Sequence, residues 1–146
     1  MSKSNTWETG LLDLVFKNTD FTTVGDAGGL RGSATAGSIY ISLHTADPGE
    51  TGDQSTNEIA YTNYARVAVA RSSSCWATST STAFNIAAIA FPAAGATSGA
   101  AVYFGVGAST AGAGKLLYSG SLSASLAVTN GVTPQFSASA LTITED

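Results

Sequence analysis

Between Ser72 and Thr144 the chain carries one charged side chain, that of Lys115, and this half is instead rich in Ala, Ser, Thr and Gly. Ile, Val, Leu, Phe and Tyr recur among these small residues, often at every second position, and Gly, Pro and Asn interrupt them at short intervals. A period of two with frequent turn residues is typical of short, half-buried strands. The pattern predicts a mainly β fold, a β-sandwich or jelly roll, although Ala alone favours helix.

Strands are predicted from about residue 38 to residue 144, and a length of 146 residues predicts one domain spanning 1–146. The Asn130-Gly131 pair lies between two apolar runs, where it predicts a hairpin turn. The segments that fit the strand pattern are 38–45, 65–70, 82–91, 101–107, 115–122, 125–129, 134–138 and 140–144.

A short N-terminal helix is predicted over residues 5–18. Asn5 is placed to cap it, and Glu8 lies three residues further on, as in a capping box. Apolar residues recur at helical spacing and form one face. They are Trp7, Leu11, Leu14 and Val15.

Two polar loops flank the first predicted strand. Residues 22–37 contain five glycines and no periodicity, which predicts a loop that a partner could order. Residues 46–60 form a second loop that holds four of the ten acidic residues. These acids are either a solvated surface, the oxygen ligands of a calcium site near Asp47, or contacts to basic residues of a partner.

The charge balance excludes several classes of partner. Charged residues make up 11% of the chain, well below the usual ~25%, which favours a surface covered by other protein. A net charge of −4 with six scattered basic residues argues against nucleic acid binding.

No apolar run is long enough to span a membrane, and no secretory signal is visible. The single Cys75 cannot form an internal disulfide, so we expect synthesis in a reducing cytoplasm.

Catalytic and cofactor motifs fail on inspection. Residues 105–117 resemble a phosphate loop, but Ser109 stands where its first glycine is needed and Leu116 where its hydroxyl is needed. Ser109 also lacks the second glycine of a nucleophile elbow, and no histidine follows it. The only histidine, His44, is better explained by a hydrogen bond at a strand end than by a metal site. We therefore expect no enzymatic activity, no cofactor and no metal.

Protein interfaces are the remaining candidate sites. Arg66 and Arg71 flank an apolar strand in a region of little charge, and Arg is favoured at interfaces for its planar donor fork. The alternative for both is an ordinary edge-strand arginine. The N-terminal helix and the 22–37 loop are the other predicted contact elements. The candidate interface residues are Trp7, Leu11, Arg31, Arg66 and Arg71.

Several segments resemble a family of small virion proteins of tailed bacteriophages. They are LLDLVFKNT (11–19), YISLHTADPGETG (40–52), YTNYARVAVARS (61–72) and the run from Gly114 to Asp146. Members are often labelled tail fibre proteins, and the resemblance implies no catalytic residues. It implies a virion protein assembled in the host cytoplasm.

Within that resemblance we expect a capsid decoration, or cement, protein. A small β protein of low charge with no long shaft repeat suits a position over the joints between capsid subunits. Its partners would be the major capsid protein and copies of itself, as a dimer or trimer. The alternative is a tail-associated or tail-fibre protein involved in host binding.

Overall fold

The computed structural model describes residues 2–22, 24–25, 28–96 and 99–145. These form one helix and nine strands, so the predicted mainly β class with a short N-terminal helix is confirmed. The strands form three antiparallel sheets, an arrangement consistent with a β-sandwich. In chain order the elements are α1 (Asn5–Lys17), β1 (Ser38–His44), β2 (Val67–Ala70), β3 (Trp76–Ser79), β4 (Thr82–Asn85), β5 (Ile89–Ala90), β6 (Gly99–Gly107), β7 (Leu116–Val128), β8 (Gln135–Phe136) and β9 (Thr142–Thr144).

The chain forms two compact units that are interleaved along the sequence. The first unit comprises Met1–Ser38, Ala70–Ala88 and Phe136–Asp146. The second comprises Ile39–Val69 and Ile89–Gln135. The expectation of a single domain over 1–146 stays a prediction.

The first unit packs α1 with the sheet β3-β4-β9. The rings of Phe16 and Trp76 meet with their centroids 4.7 Å apart, and neither residue is exposed to solvent. The other apolar residues buried in this unit are Leu12, Ala83, Leu141 and Ile143. Burial of such side chains is the main favourable term in folding, worth roughly 1.5–3 kcal/mol for each large one.

The helix differs from its prediction in its cap and in its buried face. Ser4, and not Asn5, is the N-cap, since its side-chain oxygen accepts from the backbone N–H of Trp7. The helix ends at Lys17 because Asn18 adopts the left-handed conformation, which terminates helices. The buried stripe is Glu8, Leu12 and Phe16, whereas the predicted apolar face is half-buried or, at Trp7, exposed.

The second unit contains most of the sheet with the order β2-β1-β6-β7. In the pairing of β1 with β6, Ile41 lies opposite Val106, and both are fully buried. The alternate pairs carry small or polar residues, such as Ser42 opposite Gly105. Because successive side chains of a strand point to opposite faces, one face of this pair of strands is apolar and the other carries glycines beside polar side chains.

Strand bounds differ from the prediction where tertiary pairing decides them. The predicted strand 82–91 is two strands, β4 and β5, in different sheets, and β3 was not predicted. The predicted strands 115–122 and 125–129 are one strand, β7, with irregular pairing inside it. Asn130-Gly131 forms a turn, but the strands on either side belong to different sheets, so the predicted hairpin is wrong.

Candidate functional site

The acidic loop after β1 is bound to the glycine-containing face of the four-stranded sheet. Gln54 is fully buried there, and its backbone N–H donates to the carbonyl oxygen of Gly114 over 2.9 Å. Its side-chain oxygen accepts from the backbone N–H of Ser109 over 2.9 Å, and its amide nitrogen donates to the carbonyl of Tyr40. A Cβ at Gly107 would overlap the Gln54 side chain. Gly107 therefore provides the space in which the Gln54 side chain of the loop lies.

His44 joins the same loop to the strand that precedes it. Its Nδ1 lies 2.8 Å from the carbonyl oxygen of Thr56, so Nδ1 carries the proton and donates. Its Nε2 lies 2.8 Å from the Ser42 hydroxyl and accepts from it. Desolvation by burial lowers the pKa of His44 below its ordinary value, which keeps the ring neutral. The prediction of a hydrogen-bonded histidine at a strand end is confirmed.

A buried ion pair fixes the loop that follows β6. The guanidinium of Arg66 donates to both carboxylate oxygens of Glu58, each over 2.7 Å. The same group donates to the carbonyl oxygens of Ser109, over 3.0 Å, and Gly112, over 2.7 Å. The hydroxyl of Tyr64 also donates to Glu58, over 2.8 Å, and burial raises the pKa of Tyr64. Arg66 therefore joins Glu58 of the acidic loop to the loop after β6. Arg66, Glu58 and Tyr64 form the hub of this unit.

This hub explains the glycine-rich segment that resembles a phosphate loop. Two of its carbonyl oxygens point at the Arg66 guanidinium, and Gly112 has a positive φ of 70°. A phosphate site needs backbone N–H groups, and not carbonyl oxygens, turned to the ligand. The segment is a turn between β6 and β7, as the sequence predicts.

A cleft of about 440 Å³ lies between the acidic loop and the start of β7. On the loop side, Asp47 and Glu50 are exposed, and the Asp47 carboxylate accepts from the backbone N–H of Gly49 over 2.9 Å. Tyr118 and Ser119 line the β7 side together with Leu116 and Leu117. The cleft therefore presents carboxylates opposite hydroxyls and an aromatic ring.

The loop wall of the cleft is ordered by its own turn. Asp53 accepts from the backbone N–H and the hydroxyl of Ser55, over 2.7 and 2.6 Å, and these bonds lower the pKa of Asp53. Among the described residues, no three Asp, Glu, His or Cys side chains are grouped so that they could hold a metal ion.

The predicted interface residues lie in both units, and the structure gives the two arginines internal partners. Arg66 is 8% exposed and belongs to the hub in the second unit. In the first unit, Arg71 donates to the carbonyl oxygens of Leu14, over 2.6 Å, and Val15, over 2.7 Å, near the end of α1. Leu11 is half-buried on the same helix. The interface assignments of these residues stay predictions.

Trp7 and Arg31 belong to one surface region of the first unit, in which Phe21 and Leu30 lie between them. Trp7 is 37% exposed, and its ring packs on Phe21 at a centroid distance of 5.3 Å. Phe21 pairs through its backbone with Leu30, which is also 37% exposed. Arg31 follows it, exposed and 3.6 Å from the Asp20 carboxylate. These residues form a surface patch in the region where the sequence predicts contacts; the predicted loop 22–37 includes residues 23, 26 and 27, which lie outside the described residues.

The sequence does not identify Gln54, Glu58 and Tyr64 of the second unit as members of one cluster. Gln54 and Glu58 look like ordinary members of a polar loop, and Tyr64 like a core or interface tyrosine. The available signal is Arg66 itself, since an arginine beside an apolar strand in a region of little charge requires a nearby carboxylate.

The fold and the site together define a small β protein of low charge whose loops are held by buried polar groups. In the described part of the chain, no helix is long and apolar enough to cross a membrane. The sequence matches the family described as Podophage GP4 fiber I protein gp80 over residues 2–144. The chain belongs to this family, which confirms the resemblance to phage virion proteins. A comparison with curated proteins finds no significant match.

Proposed function

We propose that the protein is a structural component of a phage fibre and that it contributes to host binding. The observation that carries this proposal is the family match, which spans residues 2–144 and whose description names a fibre protein. The description favours the tail-fibre alternative over the capsid-decoration hypothesis. Its assembly in the host cytoplasm and its lack of contact with nucleic acid or membrane remain part of the proposal.

The cleft beside the acidic loop is the proposed contact for the host surface. Binding sites are typically concave and are formed by ordered walls with a few polar groups. Here Gln54, His44 and the Arg66–Glu58 pair hold the loop wall before any ligand arrives. A wall ordered in advance supports binding because less conformational entropy is lost on association.

The proposed role is non-catalytic and needs no cofactor. His44 is fully buried and both ring nitrogens are hydrogen-bonded, so it is not placed to transfer a proton to a substrate. The Glu58 carboxylate is bound by Arg66 and Tyr64. The carboxylates that face the cleft, Asp47 and Glu50, serve in this proposal as hydrogen-bond acceptors.

Copy number per virion tests the fibre assignment. Quantitative mass spectrometry of purified virions, normalised to the major capsid protein, should find few copies, and labelled antibody should mark the fibres. A ratio near one copy per capsid subunit, or a fixed simple fraction of it, would contradict the fibre assignment and support the capsid-decoration hypothesis, with the major capsid protein as partner.

Competition for adsorption tests host binding separately. Purified protein added to host cells should slow adsorption of the phage, and E50Q should compete less well because it removes one carboxylate from the cleft. E50D keeps the carboxylate at the same exposed position and is the matched control. Equal competition by E50Q and the unchanged protein would remove the cleft from the host-binding proposal.

A further inference from the structure

The outer edge of β7 is open in this fold. In the sheet order β2-β1-β6-β7 the strand lies at one end, and among the described residues only β6 pairs with it. An edge strand presents a row of backbone donors and acceptors on its free side. We propose that two copies of the chain pair antiparallel through their β7 edges.

The composition of β7 permits this pairing. Folded proteins protect an edge strand with charged side chains, proline, a very short length or bulges, and β7 has only the last of these. From Leu116 to Val128 the strand has 13 residues and contains neither a charge nor a proline; Lys115 lies just before it. An uncharged edge can meet its own copy without electrostatic repulsion.

Two irregularities confine the contact to part of the strand. The pairing with β6 is regular from Tyr118 to Ser121 and from Leu126 to Val128. Between these segments β7 has residues in excess of β6, and a smaller irregularity lies beside Leu116. Bulges of this kind bend a strand and disturb its ladder. The regular segment from Tyr118 to Ser121 is therefore the proposed centre of the pairing.

The side chains of this segment suit a copy of the same segment. Ser119 and Ser121 are exposed and lie on one face, with Gly120 between them. In an antiparallel pair, serines directly opposite one another can form hydrogen bonds across the strands. A two-fold contact is isologous, so the same short residues meet from both sides and the assembly closes at two copies. The pairing concerns the free protein and does not depend on where it lies in the virion.

Sedimentation equilibrium of the purified chain tests the pairing. The unchanged protein should show a monomer–dimer equilibrium, and S119K/S121K should weaken it at least about tenfold because like charges would face each other at the edge. T129K/T133K adds the same charges at exposed positions outside β7 and should dimerise like the unchanged protein. A monomer at all concentrations would overturn the proposal, and the candidate partner of the β7 edge would then be a different protein. Equal dimerisation of S119K/S121K and the control would overturn it as well.

Disulfide trapping gives a second answer if the lysine variant fails to fold. In a C75S background, a mixture of the S119C and S121C proteins should form mixed disulfides under mild oxidation, since in a pair centred on Gly120 residue 119 of one copy lies opposite residue 121 of the other. A mixture of the S119C and S125C proteins, whose second cysteine lies inside the irregular stretch, should cross-link at least about tenfold more slowly. Equal rates for the two mixtures would contradict a pairing centred on Tyr118–Ser121.

Discussion

Arg66 binds Glu58 through two hydrogen bonds of 2.7 Å, and the same guanidinium holds the loop that follows β6. The Arg66 side chain is 2% exposed and that of Glu58 is 16% exposed. A pair in this environment differs from a surface ion pair, because the loss of one member leaves the other without its partner away from water.

R66A should therefore lower the free energy of unfolding by about 3–5 kcal/mol. Urea unfolding followed by circular dichroism measures the effect. R66K keeps the charge but loses the bidentate geometry, so it should fall between R66A and the unchanged protein. A change below about 1 kcal/mol for R66A, as for an exposed pair, would contradict the structural role given to this arginine.

The stability of the second unit should fall as the pH drops below about 6.5, the ordinary pKa of a histidine. Burial lowers the pKa of His44 in the folded state, so between the folded and unfolded pKa values the unfolded chain binds more protons. The stability contributed by neutral His44 is complete above pH 6.5 and is lost as the pH falls through the folded value. Thermal unfolding at a series of pH values between 8 and 4.5 measures it.

H44Q is the control for this pH dependence, since glutamine does not titrate. Its stability should be lower at pH 7.5 but should change less between pH 7.5 and 5 than that of the unchanged protein. Asp53 titrates in a separate window, because its lowered pKa places the loss of its contribution below about pH 3.8. Parallel pH profiles for H44Q and the unchanged protein would exclude His44 as the cause.

G107A should destabilise the protein by about 1–3 kcal/mol, because the added methyl group would overlap Gln54. Urea unfolding of G107A, Q54A and the double variant forms a double-mutant cycle. The double variant should be less destabilised than the sum of the two single variants, since Q54A removes the group that the methyl would meet. Strict additivity would show that the two positions do not interact.

The class of fold followed from the sequence because strand periodicity and turn residues are local properties. The strand β1 matched its prediction closely, as the alternation of Ile39, Ile41 and Leu43 is strong. The buried face of α1 did not, because residues 11 to 16 are apolar on both sides of Asp13 and only the packing of Phe16 on Trp76 selects one face.

The hub of the second unit could not be predicted from the sequence, for a different reason. Glu58 and Arg66 are eight residues apart, but the carbonyl oxygens that complete the arginine's contacts come from Ser109 and Gly112. Such contacts depend on which strands are neighbours, and β1 pairs with β6, which lies roughly 60 residues further along the chain. The arginine could be selected from its surroundings, but its partners could not.

R71A should destabilise the first unit by about 2 kcal/mol, because Arg71 donates to the carbonyl oxygens of Leu14 and Val15 in the last turn of α1. A positive charge at a helix C-terminus is also favourable for the helix dipole. R71K should retain part of this effect. Urea unfolding followed by Trp fluorescence, which reports on Trp76 beside Phe16, measures it.

The predicted interface role of Arg71 has a separate readout. If Arg71 contacts a partner, R71A should reduce incorporation into virions by more than its loss of stability explains. R71A protein that is as stable as the unchanged chain but absent from virions would favour the interface role. It would contradict the stabilising role of Arg71 at the end of α1.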